Sequence, residues 1–196
     1  MSRMTLRDFE ERYRADPDPW RYATSAYERD KYAATLGACG PGPFRHALEL
    51  GSSIGVFSAA LAILCQRLTT IDGAPTAVEI ARQRLSGAPR VQVLSGMIPG
   101  AIPDGPFDLV VASEILYYLT ADELAVTIDR LCEQMAPAAR LISVHWRPDG
   151  PERPQTSDAV HATLRREPRL RSVKRGGTPD YRLDVLERRW PSDTTG

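Results

Sequence analysis

The stretch "LELGSSIGVFSAALA", residues 48–62, restricts this chain more than any other. An apolar strand ends near Glu49, a glycine turn follows, and a helix of small residues begins at once. A strand feeding straight into a helix through glycines opens a βαβ unit, and such turns carry nucleotide-like cofactors.

The rest of the chain continues that alternation. "HALEL", "RLTTID", "RVQVL", "FDLVVAS" and "RLISVHW" read as five strands. Helices are predicted over Val56–Gln66, from Pro75 to Gly87, and from a Thr120/Glu123 capping box through an apolar stripe of Leu124, Ile128, Leu131 and Met135. Residues 155–166 read as a helix, and "RLRSVKR" and "YRLDVLER" as two strands joined by "GGTPD". Upstream, residues 5–14 and 25–37 read as helices around "ADPDPW", where Asp-Pro pairs forbid helix. The expected fold is α/β: a Rossmann-like, mostly parallel seven-stranded sheet with helices on both faces and an antiparallel C-terminal hairpin strand. The expected division is a helical lid over 1–40, the main domain over 41–190 and a flexible tail over 191–196.

The turn itself selects the cofactor. A dinucleotide turn needs glycine at its first, third and sixth positions, and these hold Gly51, Ser53 and Val56. No Gly-Lys-Ser/Thr triplet follows, which removes a phosphate loop. Seventeen residues after Gly55, Asp72 ends the second strand, where a carboxylate can accept from both hydroxyls of a ribose. An adenosyl ligand without phosphates fits this pattern. S-adenosylmethionine is one, and Glu49 suits its cationic groups. The expected cofactor set is Glu49, Gly51, Ser52, Ser53, Gly55, Asp72, Gly73, Met97, Ile98 and Ser113. The structural alternatives are that Gly51 and Gly55 serve strand–helix packing and that Asp72 caps the next helix.

With these residues in view, the turn and Asp72 resemble the class I S-adenosylmethionine-dependent methyltransferases. More narrowly, "DPWRYATSAYER", "ALELGSSIGVFSAALA", "RLTTID" and "FDLVVASEILYYL" resemble the nodulation protein S (NodS) group of N-methyltransferases, over about Asp18 to Pro137. The resemblance implies an amino-sugar acceptor, since such enzymes act on the free amine of partly deacetylated chitooligosaccharides. One departure stands out. Many class I enzymes place an acid after the third strand for the adenine amino group, and here Gly96 and Met97 stand there. Backbone and apolar contact with Met97 or Ile98 are then expected to hold adenine.

Methyl transfer is an in-line displacement, and an amine nucleophile must lose its proton to a positioned base. Candidates lie at the carboxyl ends of strands: Glu114 after the fourth, His145 at the end of the fifth, and Tyr117 one helical turn from Glu114. Their structural alternatives are a solvated acid, a hydrogen-bonded strand-end histidine and a core tyrosine. His161, on the later helix, reads as structural, unless it reaches back toward His145 to form a polar wall. Trp20, Tyr22 and Tyr27 form the expected aromatic lid, with Tyr118 and Trp146 on the acceptor side; the competing reading is a helix pair that merely caps the sheet.

Composition narrows the partners. Across 196 residues, Lys+Arg and Asp+Glu balance at 25 each, so no net field recruits nucleic acid or an anionic membrane. The run "RREPRLRSVKR" reads as solvated surface. Only Lys31 and Lys174 among the basic residues are lysine, which reads as codon bias. The charged N-terminus lacks a signal-peptide core, and Cys39, Cys65 and Cys132 fit neither a disulfide framework nor a metal site. The expectation is a cytoplasmic enzyme, monomer or weak dimer, with a small-molecule acceptor and no metal. A small-molecule O-methyltransferase and a non-catalytic S-adenosylmethionine-binding protein are the alternatives.

Overall fold

The computed structural model describes residues 3–148 and 150–190, so the tail expected over 191–196 lies outside the described residues. One seven-stranded sheet forms the centre. Its strands are β1 (Ala47–Leu50), β2 (Leu68–Asp72), β3 (Val91–Ser95), β4 (Phe107–Ser113), β5 (Met135–Trp146), β6 (Leu170–Gly177) and β7 (Tyr181–Arg188), in the order β3-β2-β1-β4-β5-β7-β6. The first five are parallel. β7 pairs antiparallel with β5 and with the edge strand β6, as the closing hairpin predicts.

Continuous apolar strands are buried on both faces. β1 is wholly buried, and alternate residues of β4 serve opposite sides: Val110 and Ala112 pack toward one core, Leu109 and Val111 toward the other. The first core takes α5 (Ala121–Gln134) and α6 (Ser157–Arg166), the second α2 (Ala26–Cys39) and α3 (Val56–Leu61). α4 (Pro75–Arg84) buries Ala77, Val78 and Ala81, the spacing predicted for it. α1 (Leu6–Ala15) lies outside on α4 and, with α2, fills the first forty residues. The three cysteines are buried free thiols. Among the described residues no helix is long and apolar enough to cross a membrane.

Three features differ from expectation. α3 stops at Leu61, with a 3-10 turn over Ala62–Leu64, because residues 65–66 are drawn out to pair with Phe44: the Gln66 N–H donates to the Phe44 carbonyl at 2.7 Å. Met135 leaves the apolar stripe of α5 and starts β5 opposite Phe107, after which the strand bulges around Pro137 and Ala138 before Arg140 pairs with Leu109. The basic run is only partly solvated, since Arg165 turns in to Asp184 and Arg169 to Asp129 and Glu167.

Candidate active site

The rim formed by the carboxyl ends of β1, β2 and β4 carries a cleft of about 1080 Å³. Parallel strands place their outgoing loops on one edge, and the crevice opens where the crossovers diverge to either side of β1. Gly51 has φ 74°, and a Cβ there would sit 3.1 Å from that of Ile115, so the turn needs glycine on both counts. Gly55 caps α3 at φ 77° but faces Ala81 of α4 and Leu85 at its C-terminal cap instead of the cleft. It serves close packing of one helix on another, whereas the alternative held from the sequence was strand–helix packing. Ser53 is itself left-handed, with φ 49°.

Two acids line the cleft. Asp72 accepts from the Ser53 N–H at 2.7 Å and the Ala74 N–H at 2.9 Å, which fixes its carboxylate across the turn. Burial raises its pKa, while those backbone donors draw it down. Burial also pushes Glu49 up to about 7, with the Ser58 and Thr70 hydroxyls drawing it back. The buried Ser52 Oγ has no hydrogen-bond partner among the described residues. Gly73, Met97, Ile98 and Ser113 line the same space.

S-adenosylmethionine fits these groups. A cleft with two acids and an orphaned hydroxyl suits a cationic ligand with free hydroxyls and repels a pyrophosphate. Asp72 would hold the ribose, Glu49 and Ser52 the amino-acid end, and Met97 with Ile98 the base.

The roof comes from the N-terminal segment. Leu6, Phe9 and Tyr13 on α1 line the cleft together with Trp20 and Tyr22. The Tyr13 hydroxyl lies 2.6 Å from Ser53 Oγ, and Trp20 packs edge-on to Tyr13 and stacks with Tyr22. α1 reads in sequence only as a charged helix, although Phe9 and Tyr13 are one turn apart and mark a covering face.

A second cavity of about 610 Å³ adjoins the first, sharing Trp20, Tyr22, Glu114 and Tyr118. Tyr27, Glu28, Lys31, Tyr117, Trp146, Glu152 and Arg153 complete it. Glu114 sits at the junction in a left-handed conformation, φ 56°. Its Oε1 accepts from Lys31 Nζ at 2.7 Å, its Oε2 from the Tyr117 hydroxyl, and both oxygens share the Trp146 N–H. Lys31 also bonds Glu28 at 3.0 Å and lies over the Tyr27 ring. Burial alone would lower the Lys31 pKa, but Glu114 and Glu28 outweigh it and raise it, so the ammonium stays charged. Glu28 is pushed up by burial despite Lys31. Neither Lys31 nor Glu28 was singled out from sequence; a lysine among arginines was the available signal.

His145 does not line either cavity. It is fully buried behind Glu114, and its Nε2 accepts from the Leu116 N–H at 3.1 Å, so the ring faces the core and not an acceptor. Its expected role as a base is withdrawn on that geometry. Tyr118 and Trp146 line the second cavity.

A parallel sheet with an antiparallel β5-β7-β6 end, an acid at the tip of β2 and a roofed adenosyl cleft define the class I, Rossmann-like methyltransferase fold. The sequence profile of the Nodulation protein S (NodS) family matches residues 2–149, and the chain belongs to that family. A Nodulation protein S from Bradyrhizobium diazoefficiens is 38% identical over 134 residues, 67% of this chain and 64% of its own length. A second, from Rhizobium tropici, is 34% identical over 65% of this chain and 55% of its own length, so the chain spans only part of these relatives. The crystal structure of the N-methyltransferase NodS from Bradyrhizobium japonicum WM9, in complex with S-adenosyl-L-homocysteine, superposes with a TM-score of 0.84 at 27% identity, covering 94% of this chain and 99% of that one.

Proposed function

We propose that this chain is an S-adenosylmethionine-dependent N-methyltransferase acting on the free amine of an amino sugar or related glycoside. The observation that carries the reading is the acid-rich aromatic cavity meeting the cofactor cleft at Glu114. Aromatic faces take the apolar side of a sugar ring, and carboxylates draw in an amine. Family membership and the N-methyltransferase relative support the same chemistry.

When bound, the cofactor supplies an electrophilic methyl group on a sulfonium. This chain's residues then align, exclude water and move a proton. Alignment can supply roughly 7–11 kcal/mol of the barrier. Both Glu114 oxygens are already engaged by donors, which suits an orienting role. The Glu28 carboxylate accepts from Lys31 Nζ on its own helix, its buried Oε2 has no hydrogen-bond partner among the described residues, and its raised pKa fits it to accept the proton of the incoming ammonium. Trp20 and Tyr22 roof both cavities and keep the reacting atoms dry. The O-methyl alternative relied on His145 and Glu114 together, and of these only Glu114 lines the cavities.

The test is transfer of a labelled methyl group to glucosamine oligomers, to their fully N-acetylated counterparts and to simple glycosides. Label on nitrogen of the free-amine oligomers alone is expected. Equal label on the N-acetylated or amine-free acceptors overturns the amine reading.

A further inference from the structure

Behind the acceptor cavity a buried line of polar side chains crosses β5, α6 and β7, hydrogen-bonded from the Leu116 amide to His161 and ending with His161 close against Asp184. We infer that His145, His161 and Asp184 are positioning residues that hold the Leu116 amide, and through it the Glu114–Tyr117 turn, in the orientation the acceptor site requires. The inference rests on the acceptor site proposed above.

Each link leaves one arrangement of protons. The Leu116 N–H donates to His145 Nε2 at 3.1 Å, so that nitrogen is bare and the neutral ring carries its proton on Nδ1. His145 Nδ1 faces His161 Nε2 at 3.1 Å, with Ser143 Oγ at 3.3 Å, so His161 Nε2 must accept. His161 then carries its proton on Nδ1, which lies 3.1 Å from Asp184 Oδ2. Arg165 closes the line at 2.5 Å from the same oxygen. Both rings are fully buried and Asp184 nearly so.

Electrostatics agree with this arrangement. Burial first, then His161, Lys31 and Arg153, hold the His145 pKa well below its ordinary value, so the ring stays neutral. Burial opposes the charge on Asp184, yet His161 and Arg165 hold its pKa down. A buried polar line is costly compared with apolar packing. Its end point accounts for it: Glu114 is held at positive φ, Tyr117 bonds Glu114, and the Tyr117 ring stands edge-on to His145 at 5.0 Å. Fixing the amide between them fixes both.

Nitrogen-proton correlation spectra of the full-length protein read the tautomers directly, and both His145 and His161 are expected as Nδ1–H. An Nε2–H form on either ring overturns the inference. Two variants separate positioning from mere packing: His161→Phe removes the acceptor for His145, and His161→Gln keeps one. In His161→Phe, exchange of the Leu116 amide should rise on the order of tenfold. Turnover of the amine acceptor should fall on the order of tenfold, with affinity for S-adenosylhomocysteine unchanged. The glutamine variant should restore most of both, and it decides the matter with the wild-type spectra if the phenylalanine variant does not fold. Equal Leu116 exchange in wild type and glutamine variant supports the line, and a glutamine variant that loses turnover and cofactor affinity together overturns it. Expected tautomers and exchange in a protein that turns over no amine refute the acceptor reading while upholding the hold on Leu116.

Discussion

Glu49 is the residue whose chemistry reports most directly on the cofactor. Burial places its pKa at about 7, against an ordinary 4.5. Stability contributed by that raised value is complete below the ordinary pKa and is lost as pH rises through about 7, because the buried group must then ionise. A cationic ligand beside it favours the ionised form, so binding releases a proton whenever Glu49 starts protonated. Affinity for S-adenosylmethionine should therefore rise up to about tenfold per pH unit below 7 and level off above it. Calorimetry between pH 5.5 and 8.5 checks this, and Glu49→Gln should flatten the profile; a flat profile in the native protein would show that Glu49 meets no charge. Residues like Glu49, Asp72 and Glu114 were legible in sequence because an acid at the end of a buried strand has one rim to occupy. His145 was not. Its place at a strand end was readable, but which face the ring takes depends on pairing with β7 and on His161 arriving from α6.

At the scale of elements, α1 does what its composition hides. Ala74 opens α4 without a side-chain cap, and Glu10 from α1 supplies one in trans: it accepts from the Thr76 N–H at 3.0 Å and from Thr76 Oγ1 at 2.7 Å. The Tyr13–Ser53 contact forms a second latch, directly on the glycine turn. Glu10→Ala should cost about 1 kcal/mol of stability, as loss of a cap does. Because the same latch pins the roof, S-adenosylhomocysteine should dissociate several-fold faster from the variant. Stopped-flow release and thermal unfolding measure the two effects, and a variant destabilised with no change in release rate would mean that α1 caps the fold without gating the cleft. The sheet and α4–α6 could be read locally, since their periodicity and caps agree with their burial. The end of α3 and the start of β5 could not, because Phe44 and Phe107 recruit them from a distance.

For the whole molecule, the decisive fact is that one ligand would touch elements far apart in sequence. The cleft draws on α1, the turn after β1, the tip of β2, the loop after β3 and the end of β4, so a bound adenosyl compound ties the N-terminal segment to the sheet. A ligand that binds only the folded state adds stability by mass action, about 2.7 kcal/mol at a hundredfold excess over Kd. For a chain of this size that corresponds to a rise in Tm of roughly 5–10 °C. S-adenosylhomocysteine should produce that rise in the native protein and none in Asp72→Ala, whose sheet should remain intact by circular dichroism. Hydrogen exchange sharpens the test, because the added protection should concentrate in α1, the glycine turn and the loop after β3. The β6–β7 hairpin lies at the far edge of the sheet and contributes nothing to the cleft. Protection that appeared there instead, or a Tm shift that survived loss of Asp72, would place the adenosyl group somewhere other than the bend between β1 and α3.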